Sequence, residues 1–178
     1  MQVLPKARDA RFGLIDWFPI ARAGFEMDIR HDQAPYIIKT PYFCDVARDI
    51  LASCVRIEHA IIPVRQFDAA AASRAYVQTL MTGTADGQEQ VAGGLWDTCE
   101  ANNQVAILRE KFTMLIEVLV RYDIPITFLS YPRLVRDPEY LYAKLDFLLS
   151  DIDYASFRMA FNRIVRPDWV HEFTENDC

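Results

Sequence analysis

Apolar positions recur along this chain in two rhythms, one helical and one strand-like. Val46, Ile50 and Cys54, at i, i+4, i+8 spacing, predict a helix over about residues 45–54. The next segment, His59-Ala60-Ile61-Ile62-Pro63-Val64-Arg65, is apolar and β-branched without alternation, the pattern of a parallel strand covered on both faces. Pro63 marks an edge, a bulge or a strand end, because proline has no N–H to give to a ladder. Asp68 then stands as the expected N-cap of an alanine-rich helix over about 69–80. Gly83, Asp86, Gly87, Gly93 and Gly94 mark a loop, read first as an ordinary mobile connection and second as a candidate lid over an acceptor site. Val105, Leu108, Phe112, Leu115, Ile116, Leu119 and Val120 keep a 3.6-residue period, predicting a long helix over about 97–122. A second buried strand follows over 124–129 and ends at Ser130-Tyr131. Asp137-Pro138-Glu139 starts a helix over 140–149, with proline in the first turn where its missing N–H costs nothing, and a last helix covers about 154–164. Ahead of all these, Tyr36-Ile37-Ile38-Lys39 reads as a short strand ended by Thr40-Pro41, and the first thirty residues show no clean period.

Strands alternating with helices predict an α/β fold: three layers, with a mostly parallel sheet flanked by helices. The expected organisation is one domain, with an irregular segment over 1–34, an α/β core over 35–165 and a tail over 166–178. In such sheets ligands sit beyond the carboxyl ends of the strands. Arg65 and Tyr131 both fall at that end.

Composition narrows the picture. Of 178 residues, 52% are apolar and 25% charged, an ordinary globular balance, and the net charge of −6 weighs against bulk attraction to nucleic acid or anionic membrane. Cys44, Cys54, Cys99 and Cys178 are scattered without a CxxC, so reduced thiols are expected rather than a disulfide framework or a metal site. The N-terminus lacks the apolar core of a signal peptide, and Glu117 interrupts the apolar stretch from Met114 to Val120. A cytoplasmic protein without a transmembrane segment is expected.

The chemistry centres on Arg65 and Ser73. A guanidinium at a strand tip binds a phosphate bidentately, and a hydroxyl eight residues on, in the following helix, adds a donor. The alanines between them allow close approach. The competing reading is a surface ion-pair arginine and a tolerated helical serine.

Three further segments, together with the Arg65–Ser73 pair, carry a family resemblance. The strand ending in Arg65 with Ser73 eight positions later is similar to the 3′-phosphate site of sulfotransferases that use 3′-phosphoadenosine 5′-phosphosulfate (PAPS). Tyr131-Pro132-Arg133-Leu134-Val135-Arg136-Asp137-Pro138 resembles the family's Tyr-Glu-Asp-Leu segment continued as Val-Arg-Asp-Pro, with Pro132-Arg133 replacing the acidic pair. Arg166-Pro167-Asp168-Trp169-Val170-His171-Glu172-Phe173-Thr174 resembles the basic loop, Asp-Trp and Phe-Thr of the C-terminal part, without the usual Arg-Lys-Gly. Tyr36-Ile37-Ile38-Lys39-Thr40-Pro41 resembles the strand that carries Lys-Thr-His, with Pro41 at the histidine. The resemblance covers about 36–174. It implies a nucleotide fold of the P-loop type, with Arg65 and Ser73 on the donor's 3′-phosphate, Tyr131 near the adenosine, and Arg166 or Arg163 completing the pocket.

The family's other phosphate site, a Lys-Ser/Gly-Thr loop after its central first strand, has no counterpart ahead of Lys39. Lys6 has neither glycine nor Ser/Thr nearby, and Gly24 stands alone. Truncation of a longer reading frame is the favoured account; natural loss, or a strand supplied by a partner chain, are the others. Lys39 is a candidate for charge on the transferring group. His31 and Asp32 are candidate bases, whereas His59 enters its strand at the wrong end. Trp169 is a candidate for the acceptor pocket. The resemblance implies sulfuryl transfer from PAPS to a hydroxyl or amine of a carbohydrate or small metabolite, without a metal. The alternative is a non-catalytic nucleotide-binding or assembly module, and a homo-oligomer is compatible with either. A P-loop kinase-like phosphotransferase ranks last, for want of a Walker lysine.

Overall fold

A computed structural model describes Ile29 and residues 36–40, 43–53, 55–89, 91 and 93–170. Among these the order is α1 (Phe43–Ala52), β1 (Ala60–Val64), α2 (Phe67–Thr82), α3 (Gln104–Arg121), β2 (Ile126–Ser130), α4 (Pro138–Lys144) and α5 (Tyr154–Ile164), with single 3₁₀ turns at Ala101–Asn103, Arg133–Val135 and Pro167–Trp169. The fold is mixed helix and strand, and its two described strands are parallel neighbours, Ala60 facing Ile126 and Val64 facing Ser130.

The helix α3 is the hub. It buries Val118 and Leu119, and α1 lays Cys44, Ala47 and Ile50 against it. That stripe runs at i, i+3, i+6 rather than through the expected Val46, which is half-buried; Cys54 lies outside the described residues. Phe112 of α3 touches Phe67 edge-on at 5.7 Å and Phe128 of β2 at 6.3 Å, so one ring joins the start of α2 to the sheet.

Several elements depart from the sequence expectation for physical reasons. Residues 36–39 form no strand, and the exposed Tyr36 hydroxyl instead donates to Glu58 at 2.5 Å. That carboxylate raises the Tyr36 pKa above its ordinary value, first through this bond and then through its charge. The helix α2 starts one residue before Asp68, so Gln66 is its N-cap and Asp68 lies in the first turn, where a carboxylate still favours the helix dipole. The helix α3 cannot extend back to residue 97, because Asp97 takes a left-handed backbone (φ 51°). The helix α4 ends at Lys144, earlier than expected, whereas α5 keeps its expected span.

Among the described residues the strands are mostly half-buried, short of the full burial expected of them. No β1 residue is fully buried, and in β2 only Leu129 is. Among the described residues α1 and α2 both pack on α3.

The edges of the sheet are specific. Ala60 donates its N–H to Pro125 at 2.9 Å and Val64 accepts from Tyr131 at 2.8 Å, so alternate β1 residues turn their backbone groups toward β2. Pro63 therefore points its missing donor outward, as expected of an edge position. On the far side of β2, the outward N–H of Ser130 donates to the Tyr140 hydroxyl at 2.8 Å. Both outer edges are thus blunted near their carboxyl ends.

Candidate functional site

The carboxyl ends of β1 and β2 meet where the Tyr131 N–H closes the ladder on Val64. This bond sets Arg65 beside Tyr131, with the guanidinium carbon 5.1 Å from the ring centroid. A cation over an aromatic face is worth about 0.5–1 kcal/mol at a partly exposed site, enough to bias the arginine rotamer. Both side chains are half-buried. Two residues 66 positions apart are thereby brought together as the sequence suggested.

Ser73 lies six residues into α2 from Phe67, about 9 Å along the axis at 1.5 Å per residue. It sits two residues on from Ala71, roughly opposite the stripe that Ala71 and Gln78 bury. Its hydroxyl makes no hydrogen bond among the described residues. Arg166 is engaged elsewhere: its Nη1 donates to the carbonyls of Arg163 and Val165, at 3.0 Å each, which closes the C-terminal turn of α5. Arg163 is exposed in that same last turn. Lys39 is exposed in the irregular stretch before α1. His31 and Asp32 lie outside the described residues, as do Pro41, His171 and the side chain of Trp169. His59, at the opposite end of β1, bonds Thr127 Oγ1 at 2.8 Å and stacks on Phe147 at 3.9 Å, a packing role.

Beside the Arg65–Tyr131 pair is a second unit, in which Arg133 and Asp137 join Tyr140. Asp137 caps α4 by accepting the Tyr140 N–H at 2.9 Å and also accepts from Arg133 Nε at 2.9 Å. These bonds hold its carboxyl below the ordinary aspartate value, the Tyr140 amide contributing first and Arg133 next. Arg133 lies over the Tyr140 ring at 4.2 Å, and the same tyrosine takes the Ser130 amide through its hydroxyl. The chain thus folds the 131–140 segment into a small clasp around the tip of β2. Asp137-Pro138 was readable as a cap; the role of Tyr140 depends on the 3₁₀ turn at Arg133–Val135, which carries no periodic signal.

The 83–100 connection is tied to α2 and α3 at several points. Gln78 of α2, fully buried, donates to the Glu89 carbonyl at 2.8 Å and accepts from the Leu95 N–H at 3.3 Å. Gln104, equally buried, accepts from the Trp96 N–H at 2.6 Å and donates back to the Trp96 carbonyl at 3.3 Å. Arg74 donates to the Gly94 carbonyl at 2.8 Å and faces the Trp96 ring. Lys111 joins Asp45 of α1 to Asp97 of the loop. Burial alone lowers the lysine's pKa, but its bonds to both aspartates outweigh that and hold it well above the ordinary value. Within the expected lid, Gly94, Leu95 and Trp96 are buried and held by α2 and α3, while most of 83–89 and 97–100 stays exposed.

Burial pushes the Cys44 thiol up to about 11, with the adjacent Asp45 charge adding to the effect. Neither Cys44, which is buried, nor Cys99, which is exposed, is in a disulfide. Among the described residues no three His, Cys, Asp or Glu side chains gather as a metal site, and no helix is long and apolar enough to cross a membrane. In comparisons with known proteins, no family model, curated protein or solved structure matches the chain.

Proposed function

We propose that the carboxyl end of the β1–β2 pair is the 3′-phosphate half of a nucleotide site of the sulfotransferase type. The observation that carries this reading is the Arg65–Tyr131 stack at adjacent parallel strand tips, where α/β sheets take their ligands. The guanidinium supplies the bidentate donor for a phosphate, the Ser73 hydroxyl adds another, and the tyrosine offers a face for the nucleoside. The full activity this reading implies is transfer of the sulfuryl group of PAPS to a hydroxyl or amine of a carbohydrate or small metabolite.

Calorimetry with adenosine 3′,5′-bisphosphate tests the binding claim. Loss of a charge-assisted phosphate contact in Arg65→Ala is expected to weaken affinity by about 10–100-fold, and loss of the neutral hydroxyl in Ser73→Ala by roughly 2–10-fold. Absent binding, or binding untouched by Arg65→Ala, sinks the reading.

A second reading, nucleotide binding without transfer, draws on the sheet edges. Pro63 and the Tyr140–Ser130 bond obstruct both outer edges at the end where a phosphate-loop strand would have to join. Incubation with sulfur-labelled PAPS and a panel of phenols, amines and sugars separates the two: labelled product supports transfer, and tight binding without product supports a binding module.

A further inference from the structure

We propose that Arg133 is a second oxyanion-binding residue of this site, taking the phosphate group of the nucleotide that lies away from Arg65. This rests on the nucleotide reading above and adds the residue that takes the second group.

The argument begins with what holds the side chain. The Nε of Arg133 is tied to Asp137 and its guanidinium carbon lies 4.2 Å from the Tyr140 ring centroid, so the guanidinium is positioned before any ligand arrives. Tyr140 is itself fixed at both ends, its hydroxyl by the Ser130 amide and its own N–H by Asp137. Preorganisation of this kind lowers the ordering cost of binding. The two terminal Nη groups make no hydrogen bond among the described residues, and the side chain is 58% exposed. The residue therefore presents a fork of donors to solvent, the geometry that matches a phosphate.

Its place suits a second anchor rather than a duplicate of the first. Arg65 follows Val64 and stacks on Tyr131, on the β1 side of the β2 tip. Arg133 stacks on the tyrosine that bonds the outward amide of Ser130, on the opposite side. With strands about 4.8 Å apart and at most 3.8 Å per residue, the two Cα atoms stand within roughly 12 Å. Two long side chains bridge that interval around a single nucleotide, with Tyr131 between them. Arg133 occupies one of the two positions where the family segment carries acidic residues; Asp137 takes its Nε, and the two Nη groups remain for an anion.

The test compares adenosine 3′,5′-bisphosphate with adenosine 3′-monophosphate on the wild-type chain and on Arg133→Gln, Arg133→Lys and Arg65→Ala. The wild type is expected to prefer the bisphosphate by about tenfold or more, and Arg133→Gln to abolish that preference while leaving 3′-monophosphate affinity unchanged. Arg133→Lys keeps the charge and is expected to retain part of the preference; Arg65→Ala weakens both compounds. Circular dichroism and melting of each variant separate loss of a contact from loss of the Asp137 clasp, since a purely structural role would lower affinity for both compounds alike. A bisphosphate preference unchanged in Arg133→Gln overturns this inference and leaves the Arg65 site standing. Failure of the wild type to bind either compound overturns both.

Discussion

Replacing Gln104 by leucine tests whether the 83–100 connection belongs to the core. The side chain is fully buried and forms a two-way bond with one peptide unit, accepting the Trp96 N–H at 2.6 Å and donating to the Trp96 carbonyl at 3.3 Å. Leucine is close in size, so the substitution opens little cavity; what it removes is the partner of two backbone groups in a residue that is only 8% exposed. Each such group deprived of its partner costs about 1–3 kcal/mol, and burial of the new apolar atoms returns about 1 kcal/mol. The expected net loss is about 3 kcal/mol, a large fraction of the roughly 5–15 kcal/mol that stabilises a typical domain. At roughly 2–4 °C per kcal/mol for a chain of this size, the midpoint should fall by about 6–12 °C. Urea unfolding followed by circular dichroism measures it, with an unchanged slope showing that the native state and not the unfolded ensemble has been altered. Gln104→Glu should cost more, because it loses the donor and buries a charge. A loss below about 1 kcal/mol in Gln104→Leu would refute the reasoning and restore a loosely held loop.

Three other outcomes follow from the geometry. Asp137 has a depressed pKa when folded, so its contribution is present above the unfolded value near 3.9 and is lost as the pH falls through the lower folded value; acid titration of Asp137→Asn by circular dichroism should show a shallower loss below about pH 4 than the wild type. Cys44 has a raised pKa, so its contribution is present below the unfolded value of 9.0 and is lost as the pH rises toward about 11; brief labelling at about pH 8 with mass-spectrometric readout should modify Cys99 and reach Cys44 only after unfolding. Gly83 closes α2 in a left-handed conformation (φ 81°) with open space around an added Cβ, so Gly83→Ala should cost about 1 kcal/mol of backbone strain. By contrast, a Cβ at Gly94 would collide with Gln78 Oε1 and Val91 Cγ2, and Gly94→Ala should cost more in the same melting experiment.

What could be read from the sequence divides along physical lines. The helices α2, α3 and α5 and both strands were legible, because periodic burial and β-branched runs leave a one-dimensional trace. The start of α4 was legible from Asp137-Pro138, since capping is local chemistry. The 36–39 strand was misread because β-branched residues suit a strand, but only a pairing partner makes one, and the described sheet stops at β1. The extent of α3 was overread because the turn at Asp97 rests on a backbone angle. The loop's glycines suggest mobility. Its hold comes from Gln78 and Gln104, polar residues whose burial depends on the α2–α3 packing, and no periodicity announces that. At the site, Arg65 and Tyr131 were paired by their positions at strand tips, whereas the Arg133–Tyr140 contact arises from a turn closing on itself.

The ladder between β1 and β2 joins segments separated by the whole of α2, the connection and α3. Closing so long a loop is costly in chain entropy until the intervening segments have packed. The packing of α2 on α3, with its glutamine bonds, is more local and is expected to form earlier, and the ladder to zip last. The Arg65–Tyr131 stack sits at the very end of that ladder. Substitutions there should therefore speed unfolding and leave the folding rate almost untouched, while substitutions in the α3 core, such as Leu119→Ala, should slow folding itself.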